Sequence, residues 1–294
     1  MKLADQAIYD KASTAASAAI THTYTTSFGW ALKLLPRRQR QAIYGIYGFV
    51  RLADELVDSF PPATATELLR RLRHELKAAN LLGTSINPVV QAYIKVMRSY
   101  QIGATLTEAF LESMEMDIAK RSYSQKEYER YIYGSAEVVG LMCLRVFVEH
   151  KAYLKLMPAA QSLGSAFQKV NFLRDFASDY NDRQRIYFPA VEFDTFDDLA
   201  KVKAEQDIIG DFKEALDGLN KLPWASRVAV AVATRYYWEL LHRLQRYPAI
   251  RLRQKRIRVP NGYKLILALQ TLLLQGLLRR PLRLKPSRRL RASV

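Results

Sequence analysis

The stretch "AIYGIYGFVRLADELVDSF", residues 42–60, decides the fold. Two aspartates, Asp54 and Asp58, stand four apart with Glu55 between them, in a run that otherwise reads as core. Residues four apart share one face of a helix, about 6 Å apart at Cβ. At 100° per residue, Tyr47, Arg51, Asp54 and Asp58 fall in one narrow stripe, and Ile46, Phe49, Leu56 and Val57 lie outside it. The segment is therefore expected to be a helix that is apolar around much of its girth, with its polar stripe turned to the interior. Buried carboxylates are costly unless paired or metal-bound. An internal salt bridge through Arg51 is the plain structural reading.

The rest of the chain follows the same period. Of 294 residues only 12 are glycine and 11 proline, and strand-like alternation is rare. Apolar residues recur mostly three and four apart, the helical spacing. Helices are expected at about 5–20, 37–60, 65–80, 87–101, 105–120, 125–148, 152–182, 200–220, 223–246 and 261–279. Pro36 stands just before the second of these, where proline is tolerated. "SFPPATATEL" ends one helix, and a threonine there can cap the next. "RIYFPAVEFDTFDD" is a second break. No linker or repeat divides the chain, so one all-α domain is expected over residues 1–280, with a basic tail at 281–294. "NGYKLILALQTLLLQGLLRR" is apolar but interrupted by Lys264, Gln270, Gln275 and Gly276. Spanning a bilayer takes about 20 mostly apolar residues. A core-packing helix is expected here, with docking at a membrane interface as the other reading.

Composition narrows the class. The single cysteine, Cys143, excludes an internal disulfide framework and reads as a small core residue. The four histidines show no metal-ligand spacing, and the N-terminus does not read as a secretory signal. The formal charge is +17, yet no Asp or Glu follows Glu239, while residues 240–294 hold 15 Lys and Arg. Such an end attracts phosphate or an anionic membrane surface, or is simply solvated. There is no helix-turn-helix, zinc-finger or RNP-like signature, so no nucleic-acid partner is expected.

A second stripe repeats the first. In "SAFQKVNFLRDFASDYNDRQRIYFP", residues 165–189, Gln168, Asn171, Asp175, Asp179 and Asp182 share about a quarter-turn of helix, and Arg174 adjoins the first acid. Facing one another, two such stripes would make an intensely negative cavity that protons or cations must offset. Mg2+ suits them, because it takes oxygen ligands, keeps waters and bridges carboxylates to substrate phosphates. Arginines and tyrosines can hold the remaining phosphate oxygens. A polyanionic head and an apolar helical setting together describe a prenyl diphosphate. A di-iron bundle would need Glu-x-x-His motifs, and none is present.

Taken together, "TTSFGWALKLLP", the stretch quoted first, "MEMDIAKRSYSQKEYERYIYGSAEVVGLM" and "GSAFQKVNFLRDFASDYNDRQRIYFP" resemble the phytoene/squalene synthase family, most of all its bacterial phytoene synthase branch. The resemblance runs over about residues 20–260. It implies a single-domain isoprenoid-synthase-type helical bundle with a central apolar cavity. It also implies that Asp54, Asp58, Asp175 and Asp179 carry Mg2+, with Mn2+ as a possible substitute. Arg51 and Arg174 match diphosphate-contacting arginines. Ser27 and Phe28 match a flexible segment over one substrate, Tyr133 a tyrosine beside the site, and Gln168 and Asn171 the polar residues before the second acid pair. Tyr237 and Arg256 match late diphosphate contacts. Asp117 and Glu137 are mid-helix acids with no assigned role. Two departures stand out. Glu55 replaces a frequent aspartate, and the common "RGR" reads "RQR" at Arg183 to Arg185, where a glycine is lost.

The implied reaction condenses two geranylgeranyl diphosphates head to head, through a cyclopropyl diphosphate, to phytoene without NADPH. Squalene or dehydrosqualene synthesis from farnesyl diphosphate is the alternative. Peripheral contact with the inner face of the cytoplasmic membrane is expected. The non-enzymatic rival is a basic membrane-binding adaptor, which would have no need of four aspartates.

Overall fold

The computed structural model describes residues 3–25, 27–189 and 191–284, which contain helices and no strand. The helices are α1 (Leu3–Tyr24), α2 (Ser27–Lys33), α3 (Arg37–Asp58), α4 (Pro62–Leu82), α5 (Pro88–Ser99), α6 (Ala104–Ala119), α7 (Gln125–Ile132), α8 (Val138–Phe147), α9 (His150–Arg183), α10 (Asp198–Asn220), α11 (Trp224–Gln245), α12 (Ala249–Leu252) and α13 (Asn261–Thr271). A π turn, Tyr133–Glu137, joins α7 to α8, and a second, Leu272–Leu277, extends α13. They form two compact units. One holds the chain to Lys120 with Glu129–Met157; the other holds Arg121–Tyr128 and the chain from Pro158 onward.

In the first unit, α3 packs on α1 and α5. Gly48 is what lets α1 come close: a Cβ there would lie 2.8 Å from Ser17 Cβ. Phe49, fully buried, stacks on Tyr93 of α5 at 4.1 Å and lies 6.0 Å from Phe110 of α6. Burying a side chain of this size contributes about 1.5–3 kcal/mol. The Tyr93 hydroxyl is paired with Thr107 Oγ1 at 2.6 Å, so this buried polar atom is satisfied. No threonine caps α4. It starts earlier than expected, at Pro62 after Pro61, because proline lacks the N–H that would go unpaired there. Asn87 does cap α5, accepting from the Val89 amide at 2.9 Å.

In the second unit, Val170, Leu173 and Phe176 of α9 are buried. The aromatic loop after α9 folds back on it. Tyr187 stacks on Phe172 at 4.2 Å, Phe193 on Tyr180 at 3.9 Å, and Phe196 approaches Phe176 at 4.3 Å. Lys169 ties α9 to α10 through Asp207 and Asp211, at 2.5 and 2.8 Å.

Cys143 keeps its thiol buried in the core, which pushes its pKa up to about 12. Two expectations are corrected. The polar stripe of α3 is half-exposed rather than interior-facing. Helix α13 is not simply a core helix. It buries Leu267 and Thr271 but exposes Leu265, Ile266 and Leu269, and its π-turn extension exposes Leu273 and Leu277.

Candidate active site

The first acidic stripe sits on the last two turns of α3. In this structure Arg51 bonds both Asp54, three residues on, and Glu55, four on. The Ser59 hydroxyl donates to the other oxygen of Glu55. The guanidinium of Arg51 also lies 4.2 Å over the Tyr24 ring, a cation–π contact. The Ser59 hydrogen bond, and after it Arg51, outweighs burial and holds Glu55 below its ordinary carboxylate range. Burial opposes the charge on Arg51, yet Asp54 and Glu55 outweigh it and hold the guanidinium above its ordinary value. Arg51 Nε is buried and unbonded. Asp54 and Asp58 remain partly open to solvent.

The second stripe, on α9, is built from farther away. Arg174 grips Asp175 with two hydrogen bonds, from Nε at 2.8 Å and from Nη2. Arg256, 81 residues on, reaches the same carboxylate with Nε at 2.7 Å from Oδ1. Asp179 pairs with Arg183 one turn on, at 3.2 Å. Tyr237 of α11 stacks on Phe167 at 4.1 Å and shares a hydrogen bond with Asn171. Burial pushes the Tyr237 phenol up, against the pull of Arg174. Gln168 is half-buried one turn before.

Two cations here were not singled out from the sequence as site residues: Arg258 and Lys264. Burial, Arg174 and Arg258 together hold Lys264 below its ordinary value. Burial also lowers Arg256, with Arg174 and Arg258 adding to it, and Asp175 only partly offsets them. Four cations, Arg174, Arg256, Arg258 and Lys264, thus lie within electrostatic reach of one another, and Asp175 pairs with two of them. The sequence marks Lys264 only as a lysine interrupting an apolar helix; in the structure it lies 5.0 Å from the Tyr236 ring. Arg258 carries no separate sequence signal in a stretch already rich in arginine.

Tyr133 opens the π turn and is 38% exposed. A π turn holds one residue more than an α turn and often marks functional positions. Gly134 packs into α6, where a Cβ would lie 2.4 Å from the Ala109 carbonyl oxygen and 2.7 Å from Ser113 Cβ. Asp117 is buried and accepts from the Tyr131 hydroxyl at 2.7 Å, a structural role. Ser27 opens α2 with Phe28 after it, and their side chains lie outside the described residues.

The lost glycine of "RQR" has a visible consequence. Gln184 adopts φ 56°, the left-handed region that favours glycine. Its amide still bonds the Tyr180 carbonyl at 2.9 Å, and the Arg185 amide bonds that of Asp179 at 3.0 Å, so the end of α9 keeps its cap.

A divalent cation can be tested against these residues. Among the described residues, no group of three or more His, Cys, Asp or Glu could hold a metal ion. Mg2+ does not need one, since it usually takes one or two carboxylates and completes its shell with waters and phosphates. Asn171 Oδ1 is buried without a partner, one turn before Asp175. With Asp175 and Asp179 it makes an all-oxygen set that fits a hard cation.

Residues 21–263 match the squalene/phytoene synthase family, and the chain belongs to it. It is 27% identical over 203 residues to a 4,4'-diapophytoene synthase of Staphylococcus haemolyticus, covering 65% of this chain and 67% of that one. It is 31% identical over 195 residues to a phytoene synthase of Arthrospira platensis, covering 62% of this chain and 60% of that one. The match thus spans less than two thirds of the second relative's length. The fold is shared with a crystal structure of a dehydrosqualene synthase in complex with ligand, at TM-score 0.78 and 24% identity, over 91% of this chain and 98% of that one. No helix among the described residues is long and apolar enough to cross a membrane.

Proposed function

We propose that the protein joins two geranylgeranyl diphosphates head to head, through a cyclopropyl diphosphate, to phytoene. The observation that carries this reading is the α9 cluster, where Arg174 and Arg256 bracket Asp175 beside Arg258 and Lys264. That excess of cations suits a diphosphate, and the adjoining carboxylates suit the cation that accompanies it. The phytoene synthase relative supports the substrate class.

The residues divide the work. Asp54 and Asp58 on α3, and Asp175, Asp179 and Asn171 Oδ1 on α9, would hold Mg2+. When bound, Mg2+ supplies Lewis-acid neutralisation of diphosphate charge. Arg174 and Arg256 exchange Asp175 for phosphate oxygens, so the ion pairs seen here are the resting arrangement. One allylic C–O bond breaks and its electron pair leaves with diphosphate. The double bond of the second substrate attacks the cation, and a proton is lost as the cyclopropane closes. Ionisation of that diphosphate, rearrangement and a last proton loss give the linear product, with no reductant. Aromatic side chains such as Tyr133 and Tyr237 would stabilise passing positive charge. Water has to be kept out, because it would trap the cations.

A C15 substrate is the second reading, favoured by the name of the Staphylococcus haemolyticus relative. The protein works in the cytoplasm, in peripheral contact with the membrane that receives its apolar product. One experiment decides the chemistry. Purified protein is given C15 and C20 diphosphates, with and without Mg2+ and NADPH, and products are separated. A C40 hydrocarbon from the C20 substrate, dependent on Mg2+ and indifferent to NADPH, is expected. A C30 product alone shifts the substrate to C15. No condensation of either substrate sinks the reading.

A further inference from the structure

Helix α13 and its π-turn extension are patterned backwards for a water-facing element. A surface helix normally turns its apolar side inward and its polar side outward. Here Thr271 and Gln275 are buried, and Gln275 Oε1 has no partner. The outward row is Leu265, Ile266, Leu269, Leu273 and Leu277, from 44% to 79% exposed. No charged side chain interrupts that row. Trp224 lies half-exposed beside it and donates from Nε1 to the Gly276 carbonyl at 3.2 Å. Exposed Arg279, Arg280 and Arg283 follow immediately. This segment is tied down by backbone: the Arg280 amide bonds the Leu274 carbonyl at 2.9 Å, and the Leu282 amide bonds Asn220 Oδ1 at 2.8 Å.

We propose that this leucine row, flanked by Trp224 and the three arginines, is the surface that seats the protein on an anionic lipid bilayer. The inference rests on the membrane-contact part of the reading above and is independent of its chemistry. An apolar stripe beside a basic cluster is the signature of a helix lying in the interface plane, its apolar side sunk into the acyl boundary. Residues 261–277 are too few to span, so the helix lies flat. Tryptophan prefers that same depth, and each arginine near an anionic surface strengthens attachment. Charge selects lipid over the other occupants. A two-fold contact between copies would bring Arg279, Arg280 and Arg283 of both together, at a cost in like-charge repulsion. Residues 285–294, "KPSRRLRASV", carry four bases and too few apolar side chains to cover the row.

The test is co-sedimentation of full-length protein with vesicles of equal parts phosphatidylcholine and phosphatidylglycerol, against phosphatidylcholine alone. The variant I266Q/L269Q/L273Q changes only exposed side chains, and circular dichroism checks its fold. It should lose about 1000-fold in partitioning, at roughly tenfold per leucine-sized side chain, while turning over detergent-dispersed substrate normally. R279Q/R280Q/R283Q should bind less to the anionic vesicles and no differently to the neutral ones. Quenching of Trp224 by brominated lipid, with W224F as the blank, should occur in wild type and vanish in the triple glutamine variant. Equal binding by wild type and that variant would overturn the proposal. So would loss of binding on truncation after Leu284 alone, which would hand the role to the tail. A dimer that the glutamines dissociate, with no vesicle binding, would assign the face to a second copy. Wild type that turns over substrate but binds no vesicle removes the membrane contact and leaves the condensation reading standing.

Discussion

The acid stripes of α3 and α9 have the same spacing and opposite construction. On α3 the counter-charge is local: Arg51 lies on the same two turns as Asp54 and Glu55. On α9 the carboxylate of Asp175 is 19% exposed and is held by its neighbour Arg174 and by Arg256 from 81 residues away. Two like carboxylates on one helix need offsetting charge before any substrate arrives. The first stripe finds it within the helix; the second finds part of it there, from Arg174 and Arg183, and has Arg256 delivered by the fold. The second therefore doubles as a structural tie. The repulsion expected between crowded acids is already relieved by arginine in each half.

The largest effects should come from the acids themselves. Asp54→Ala and Asp175→Ala should each lower turnover by about 10^3-fold or more, since on the proposed function each would hold the Mg2+ that serves as Lewis acid. Their stabilities should part. Asp175→Ala leaves Arg174 and Arg256 facing Arg258 and Lys264, and should cost about 1–3 kcal/mol in urea unfolding. Asp54→Ala, at a more exposed pair, should cost about 0–1 kcal/mol. Equal losses would erase the contrast between local and long-range pairing.

A smaller effect separates the arginines. Arg256→Gln should weaken protection of the protein by inorganic diphosphate about tenfold, read as a shift in the ligand dependence of Tm. Asp175 keeps Arg174, so the fold should survive. A variant protected as well as wild type would confine Arg256 to a structural role.

Acid sensitivity isolates the α3 half. The folded-state pKa of Glu55 lies below its ordinary 4.5. Its contribution is therefore fully present above that value and is lost as pH falls through the lowered one. Glu55→Gln should lower Tm near neutrality and leave it little changed at acid pH where Glu55 is protonated, so that the acid limb of Tm against pH below about 4.5 flattens. If the limb is just as steep in the variant, the Arg51–Glu55 pair contributes nothing to folding.

The smallest change is a gain. Gln184→Gly removes a side chain from a left-handed position at the end of α9 and should raise stability by about 0.5–1 kcal/mol. A loss would mean that the Gln184 side chain does more than tolerate its backbone.

Much of the site was legible because helical spacing is local. Asp54 and Asp58, or Asn171, Asp175 and Asp179, share a face by arithmetic alone, and resemblance supplied the partners Arg174, Tyr237 and Arg256. Nothing in the spacing announced the π turn at Tyr133. That turn accompanies a Gly134 contact with α6, and such a contact depends on two helices rather than one. Arg258 went unread, and Lys264 was read only as a break in an apolar run, for the same reason: their importance lies in which charges surround them.

The sequence by itself determined the helical class, most of the long helices and the two acidic stripes, because each depends on residues within a few positions of one another; it did not show α2 or α12. Tertiary structure alone decided how exposed those stripes are and that Arg256 closes on Asp175. It also decided that Gln184 bears a glycine's conformation, and that the leucines of α13 look outward while Thr271 and Gln275 look in. Periodicity tells which side chains share a face. Only the packing of distant helices settles which face meets protein and which is left for something else.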